Sequence, residues 1–168
     1  MASIIKANQL QDFGGNSIIG SDGAGNLTTQ KMGYPAFKAD TSGTSVANQT
    51  NVKLQFNNEI FDTNGNYDNS TNYRFTPSVA GKYILIANAR VLSLGDAKEA
   101  NLQVRKNGDY VAYQVQKDIA GAGGEVNLSV SVIMESDGSA DYFEVFMYQN
   151  SGSTKSPDCS FAGYRIGS

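Results

Sequence analysis

Apolar and polar side chains alternate with a period of two along much of the sequence after Tyr34, and this alternation constrains the fold more than any other feature. In the run 100–105 the even-numbered residues are apolar and the odd-numbered residues are polar, and the run 126–134 begins in the same way. Successive side chains of a β-strand point to opposite faces, so the pattern predicts antiparallel strands with one face in the core and one in water. No segment shows the 3.6-residue period of an amphipathic helix.

Turn residues separate these alternating runs. Asn107-Gly108 lies between the run 100–105 and a returning run at 110–116, and this dipeptide is the strongest short signal for a β-hairpin. The glycine-containing turn at 136–139 separates 126–134 from 142–148 in the same way and predicts a second hairpin. Further strands are predicted at 36–39, 52–56, 59–61, 73–76, 81–92 and 159–166.

About ten short strands at this spacing predict an all-β antiparallel sandwich or jelly roll over residues 33–168. The composition agrees, because the 168 residues include 18 glycines and only 3 prolines, and 40% of them are hydrophobic, which is enough for an ordinary core. One compact domain, preceded by an arm, is therefore the expected organisation.

Residues 1–32 are predicted to form this N-terminal arm. Their apolar residues are sparse and lie among turns such as Gly15-Asn16 and Gly25-Asn26. Short extended pieces of this kind are marginal in water, so we expect the arm to anchor the domain on another protein. A flexible tail, or a cap on its own domain, is the alternative. The predicted anchor residues are Ile4, Ile5, Leu10, Phe13, Ile18, Ile19 and Leu27.

The sequence offers little for catalysis. It has no histidine, and the single cysteine, Cys159, excludes an internal disulfide and a multi-thiolate metal site. Without histidine, no serine is activated in a serine–histidine arrangement. We therefore predict a non-enzymatic protein with no catalytic residues and no cofactor, an enzyme being the remaining alternative.

Charge and hydropathy argue against two classes of partner. The net charge is −3 and the isoelectric point is near 4.8, opposite to the basic surface that binds nucleic acid. No run approaches the roughly 20 apolar residues of a membrane-spanning helix, so no membrane insertion is expected. The first residues lack the apolar stretch of a signal peptide, so we expect synthesis in a cytoplasm.

The loop 62–68 carries oxygen-bearing side chains at alternate positions, as calcium loops do. A twelve-residue calcium loop needs Gly at its sixth position and Glu at its twelfth, where this sequence has Tyr67 and Tyr73. An ordinary Asn/Gly turn without a metal is therefore favoured. The weak calcium candidates are Asp62, Asn64, Asn66 and Asp68.

A spaced set of six residues resembles a known family, the globular head of complement component one, subunit q, and its tumour-necrosis-factor-like relatives. The set consists of Phe56, Asp62, Tyr67, Phe75, Gly81 and Tyr83. Its spacings are similar to the family's, with one extra residue between Tyr67 and Phe75, and the run 159–164 resembles the last strand. Leu85 and Ala87 depart from the family, which prefers aromatic residues there. The resemblance covers about 34–166 and implies a jelly roll.

The combination of this domain with the short segment 5–19 resembles small virion proteins of tailed bacteriophages. This resemblance implies a homotrimeric jelly roll on the outside of a phage particle, located at the virion surface.

The strand at 142–148 favours an oligomer on independent grounds, because both of its faces are apolar. Phe143, Val145 and Met147 alternate with residues that are mostly aromatic, and a monomeric sandwich leaves one face in water. Coverage by the domain's own loops is the alternative. With the family's packing, the predicted trimer interface comprises Tyr73, Tyr83, Tyr142, Phe146, Tyr148 and Tyr164.

These features predict a non-enzymatic bacteriophage structural protein that attaches through its arm to the major capsid protein or to tail or fibre proteins. A capsid decoration (cement) protein is preferred, because the sequence has no shaft repeat or coiled coil. One alternative is a tail-fibre or knob protein that binds a host surface receptor. The other is a secreted lectin-like ligand without a virion.

Overall fold

The computed structural model describes residues 9–11, 13–15, 17–21, 24, 27–28, 35–41, 43–118 and 124–167. All regular structure in these ranges is β-strand, and none of them contains a helix long and apolar enough to cross a bilayer. The chain divides into two compact units, Met1–Tyr34 and Pro35–Ser168.

The first unit contains a small antiparallel sheet. Its strands, β1 (Gln9–Gln11), β2 (Ser17–Ser21) and β3 (Leu27–Thr28), lie side by side in chain order. Leu10 pairs with Ile19. The short extended pieces predicted for this part of the chain are therefore present as paired strands.

The second unit is an antiparallel sandwich of eleven described strands, which confirms the predicted all-β jelly roll. These strands are β4 (Ala36–Asp40), β5 (Val52–Lys53), β6 (Asn58–Asp62), β7 (Tyr67–Asp68), β8 (Arg74–Phe75), β9 (Gly81–Leu92), β10 (Glu99–Lys106), β11 (Asp109–Lys117), β12 (Glu125–Ser136), β13 (Phe143–Gln149) and β14 (Asp158–Gly167). One sheet has the order β12-β9-β14-β4-β6. The other has the order β11-β10-β13-β8-β7, and β5 also pairs with β13.

Aromatic rings from both sheets meet in the core. The ring of Phe37 stacks on Tyr67 and Phe75, at centroid distances of 4.9 and 4.3 Å, and meets Phe161 edge-on at 4.9 Å. All four side chains are buried. Buried aromatic pairs contribute beyond the area that they bury, so this cluster is a main stabilising contact between the sheets.

The residues that carry the family resemblance are explained by packing. Phe56, Phe75 and Tyr83 are fully buried, and the carboxylate of Asp62 accepts a hydrogen bond from the backbone of Tyr67 at 2.6 Å. Gly81 has a φ of +145°, and a Cβ there would lie 2.3 Å from the carbonyl oxygen of Gly167. These motif residues therefore have structural roles in the core and in the turns.

The predicted hairpin at Asn107-Gly108 is confirmed. Strands β10 and β11 pair from Glu99 and Lys117 to Lys106 and Asp109. Asn107 and Gly108 have φ values of 53° and 90°, as a two-residue hairpin turn of this type requires.

The second predicted hairpin is wrong. Strand β12 pairs with β9 and β13 pairs with β10, so these consecutive strands belong to different sheets. The connection between them folds tightly, because the Asp137 carboxylate accepts backbone hydrogen bonds from Ser139, Ala140 and Asp141 at 2.9–3.1 Å. A local turn and two alternating runs do not specify the strand with which each run pairs, and here the turn connects one sheet to the other.

Acid is expected to destabilise the domain through these carboxylates. Three backbone N–H groups hold the pKa of Asp137 well below its usual range, and the N–H groups of Thr71, Ser70 and Asn72 act in the same way on Asp68. A folded-state pKa below the unfolded value gives stabilisation that is present above about pH 4 and lost as the pH falls further. The check is the urea midpoint at pH 7 and pH 3.

In that experiment Asp137→Asn should reduce the dependence of the midpoint on pH. Asp96→Asn is the matched control, because the Asp96 carboxylate accepts no hydrogen bond from any described residue. Equal pH dependence in the wild type and in Asp137→Asn would contradict this explanation.

Candidate interaction surfaces

The outer side of the sheet that contains β9, β12 and β14 carries a row of apolar side chains. Ile133 pairs with Ile84, and Ile84 pairs with Tyr164, so the three residues lie side by side on neighbouring strands. Ile86 and Ala162 pair in the next row. Ile133 is 57% exposed and Tyr164 is 49% exposed. We call these five residues the outer apolar face.

The same side of this sheet becomes polar towards its other end. Arg90 forms ion pairs with Glu125 at 3.0 Å and with Asp158 at 3.6 Å. The Arg90 guanidinium holds the pKa of Glu125 below its usual value. A groove beside these charges is lined by polar side chains that include Asn88 and Ser129. The outer apolar face thus lies on one part of this side of the sheet, and Leu92, which is 50% exposed, lies beyond Arg90 at the other end.

The sequence analysis did not predict Ile84, Ile86 and Ile133 as residues of an exposed interaction surface. A signal was present, since 81–92 is apolar on both faces and Ile133 interrupts the alternation of 126–134 at a solvent-facing position. Apolar residues on both faces of 81–92 predict a central strand, and β9 does lie between β12 and β14, but the structure covers only one of its faces.

Tyr83, which was predicted to lie in the subunit interface, is buried inside its own domain. Its ring meets Phe75 at 5.6 Å, its hydroxyl donates to the carbonyl of Val79 at 2.6 Å, and its exposure is 0%. A side chain without exposed surface has no area to offer a neighbouring subunit. This correction follows from alternation along β9, which directs Tyr83 inward and Ile84 outward.

The other predicted interface residues do not form one surface. Tyr164 lies on the outer apolar face, whereas Phe146 and Tyr148 are on β13 in the opposite sheet. Tyr142 precedes β13, and Tyr73, with a φ of 49°, lies in the turn before β8. Phe146 and Tyr142 are partly covered by Arg105 and Arg74 of the same domain, which lie on β10 and β8 and not on the loops that the alternative named.

The outer side of β10 is also less exposed than its alternating sequence predicts. Gln103 was expected in water but is 2% exposed, and it donates to the Asn51 side chain at 2.8 Å. Arg105 is held between the rings of Tyr110 and Phe146. Side chains from neighbouring strands therefore cover this face, which strand periodicity alone does not indicate.

The predicted anchor residues fall in the first unit. Leu10, on β1, is 57% exposed, and Phe13, in the turn between β1 and β2, is fully exposed. Ile18 and Ile19 are part of β2 and Leu27 is part of β3. The two remaining anchor residues, Ile4 and Ile5, lie outside the described residues.

The calcium candidates serve as turn-forming residues. The two carboxylate oxygens of Asp62 accept from the backbone of Asn64 and Tyr67. The amide oxygen of Asn66 accepts from Ser78, and Asp68 accepts from the backbone of 70–72. Asn64 accepts from the hydroxyl of Thr63. Across the described ranges, no group of three or more histidine, cysteine, aspartate or glutamate residues is placed to hold a metal ion.

Cys159 is placed as a packing residue. Its side chain is buried on β14, and burial raises the pKa of the thiol to about 12. A thiol that stays protonated is a poor nucleophile, so the geometry gives Cys159 no catalytic role.

Several solved jelly-roll structures are similar in fold to this chain. The globular domain of zebrafish complement 1qA protein is 19% identical, with a TM-score of 0.58 over 79% of this chain and 97% of that chain. The PRD1 vertex protein P5 is 12% identical, with a TM-score of 0.55 over 79% and 96%. The Eiger TNF from S. frugiperda is 8% identical, with a TM-score of 0.54 over 79% and 91%.

A sequence comparison with curated proteins gives no match. The family model of the C1q domain matches residues 36–166, which is most of the chain. Domains of this family are generally non-enzymatic binding or structural domains, and they typically form homotrimers. The chain belongs to the C1q domain family.

Proposed function

We propose that this chain is a non-enzymatic structural protein of a tailed-bacteriophage virion, and that its C1q domain forms a homotrimer through the outer apolar face. The observation that carries the proposal is the exposed row of Ile133, Ile84 and Tyr164 across three adjacent strands. Contiguous exposed apolar surface of this kind usually marks a protein–protein contact.

Domains of this family typically form homotrimers. This supports two further copies of the chain as the partners of the outer apolar face. A ring of three copies buries the outer apolar face of each subunit near the axis, because a closed cyclic arrangement leaves no copy with an unpaired patch. The opposite sheet, with β10, β11 and β13, then faces outward.

The attachment to a particle rests on the first unit. It has its own three-stranded sheet, and the side chains of Leu10 and Phe13 project from it with most of their surface exposed. Such a sheet has open strand edges and exposed apolar side chains. A strand of a partner protein can pair with such an edge, which is the contact called strand addition. We assign the major capsid protein as this partner, and a tail or fibre protein as the alternative.

The fold shared with the PRD1 vertex protein P5 supports a role in a viral shell. The preferred role is capsid decoration at the virion surface: the first unit contacts the capsid and the trimer faces solvent. A tail-fibre or knob protein that binds a host receptor is the second candidate.

Loss of the apolar side chains of the first unit should weaken binding to the particle. Leu10→Ser combined with Phe13→Ser removes two exposed apolar groups, and we expect at least about tenfold weaker binding, because each buried side chain of this size contributes roughly 1.5–3 kcal/mol. The measurement is co-sedimentation of the full chain with particles stripped of it.

Ile60→Ser is the matched control, because Ile60 is 51% exposed and belongs to the second unit. Deletion of residues 1–30 should have the same effect as the double substitution. Unchanged particle binding after that deletion would remove the first unit from the proposal.

A further inference from the structure

Three cationic side chains lie in a row along the outward side of β13. This strand alternates, so Phe143, Val145 and Met147 enter the core. Two of its outward residues, Glu144 and Phe146, and Tyr142 just before the strand each contact a cation from another part of the chain. The contacts are Arg74 stacked on Tyr142 at 4.3 Å, Lys53 paired with Glu144, and Arg105 stacked on Phe146 at 3.9 Å.

Arg105 is held rigidly. Its guanidinium lies 4.3 Å from the centre of the Tyr110 ring and also contacts the ring of Phe146. Its Nη2 donates to Gln103 Oε1 at 2.8 Å and to the Tyr110 hydroxyl at 3.0 Å. Gln103 is itself fixed by Asn51. A guanidinium fixed in this way loses little conformational entropy when it binds a further group.

The positive charges in this row exceed the negative ones. Among the described residues, no carboxylate lies within 4.0 Å of either Arg74 or Arg105. The Nε of Arg105 is buried and has no hydrogen-bond partner. Arg90, on the other sheet, is by contrast paired with two carboxylates. A partly buried guanidinium without a counter-charge favours an anionic ligand, because the ligand supplies the missing charge.

We propose that this row is a binding site for a linear acidic saccharide, whose sugar rings carry carboxylate or phosphate groups. Outward residues of a strand recur about every 7 Å, so the two cations without a carboxylate partner, Arg74 and Arg105, lie at the ends of a row roughly 13 Å long, with the Lys53–Glu144 pair between them. This spacing suits a chain with repeated charges. Beside these cations on β11, Tyr110 is 55% exposed and Tyr113 is 66% exposed. Flat aromatic rings next to a cation suit the apolar face of a sugar ring and its acidic group together.

A nucleic acid fits this surface less well. A nucleic acid also combines stacking rings with charge, but its phosphate backbone requires many cations from the protein. This site has three cations, and the whole chain carries a net charge of −3. The site does not depend on the proposed place in a virion, because it lies within one domain. Its failure and the failure of the virion proposal are therefore distinguishable.

The test is titration calorimetry of the full chain with four probes. They are a hexamer of galacturonic acid, a phosphorylated mannose hexamer, a neutral glucose hexamer and a hexamer of deoxythymidylate. We expect binding of the galacturonate or the phosphorylated probe and no binding of the neutral probe. Comparison of the two charged probes shows whether the site prefers carboxylate or phosphate groups. Arg105→Gln, which keeps a polar side chain but removes the charge, should weaken binding by about tenfold or more.

Arg90→Gln is the matched control, since it removes the same charge from the opposite sheet, and its affinity should equal that of the wild type. If Arg105→Gln does not fold, Arg74→Gln and Tyr113→Ala test the same row, and each should weaken binding. No binding of either acidic saccharide, an equal loss in Arg90→Gln, or tighter binding of the deoxythymidylate probe would each overturn the proposal.

Discussion

Replacing Ile133 by aspartate is expected to convert the proposed trimer into single chains of 17.9 kDa. Ile133 is 57% exposed in the isolated domain, so the substitution does not disturb the core. In the trimer it would place a carboxylate in each of three apolar contacts, and a charge buried without a partner costs several kcal/mol. The measurement is the solution mass at micromolar concentration, by light scattering or sedimentation equilibrium.

Val115→Asp is the matched control for this experiment. Val115 is 45% exposed on β11 in the opposite sheet, so it receives the same charge at a similar exposure. We expect this variant to keep the mass of three chains. A wild type that sediments as a single chain, or an Ile133→Asp variant that remains a trimer, would contradict the assigned interface.

Gly138→Ala is expected to lower the free energy of unfolding by about 2–4 kcal/mol. Gly138 has a φ of +72°, and a Cβ at this position would lie 2.2 Å from the backbone nitrogen of Ala80 and 2.6 Å from the carbonyl carbon of Val79. Backbone atoms do not move aside as a flexible side chain does. The substitution therefore displaces the tight connection between β12 and β13.

Two causes contribute to this loss, the clash of the new Cβ with backbone atoms and the unfavourable positive φ, and Gly152→Ala separates them. Gly152 has a φ of +86°, but no atom of the described residues other than its chain neighbours lies within 4 Å of a Cβ built on it, so alanine there meets only the unfavourable backbone conformation. We expect a cost of about 1 kcal/mol at Gly152, clearly smaller than at Gly138. Urea denaturation of both variants is the measurement, and equal losses would show that contact with Val79 and Ala80 is unimportant.

Local features of the sequence predicted the strands of this domain well. Alternation placed most of its principal strands, and Asn107-Gly108 placed the β10–β11 hairpin, because side-chain direction and turn conformation depend on neighbouring residues. Pairing depends on residues far apart in sequence. For this reason the turn at 136–139 predicts a hairpin, although the connection crosses between the sheets.

The interaction surfaces were harder to predict for a related reason. Tyr83 and Ile84 are adjacent and both apolar, and only the position of the second sheet shows that Tyr83 is in the core and Ile84 is on the outside. Gln103 and Arg105 are polar, so alternation assigns them to water, although tertiary contacts cover them. Burial is a property of the assembled sandwich, and a single strand does not specify it.

Antibody-gold labelling of purified phage particles whose genome encodes this chain tests the central proposal most directly. If the chain is a capsid decoration protein, gold particles should be spread regularly over the head. Label confined to the tail would contradict decoration and assign the chain to a fibre or knob. Particles without label would contradict a virion role altogether.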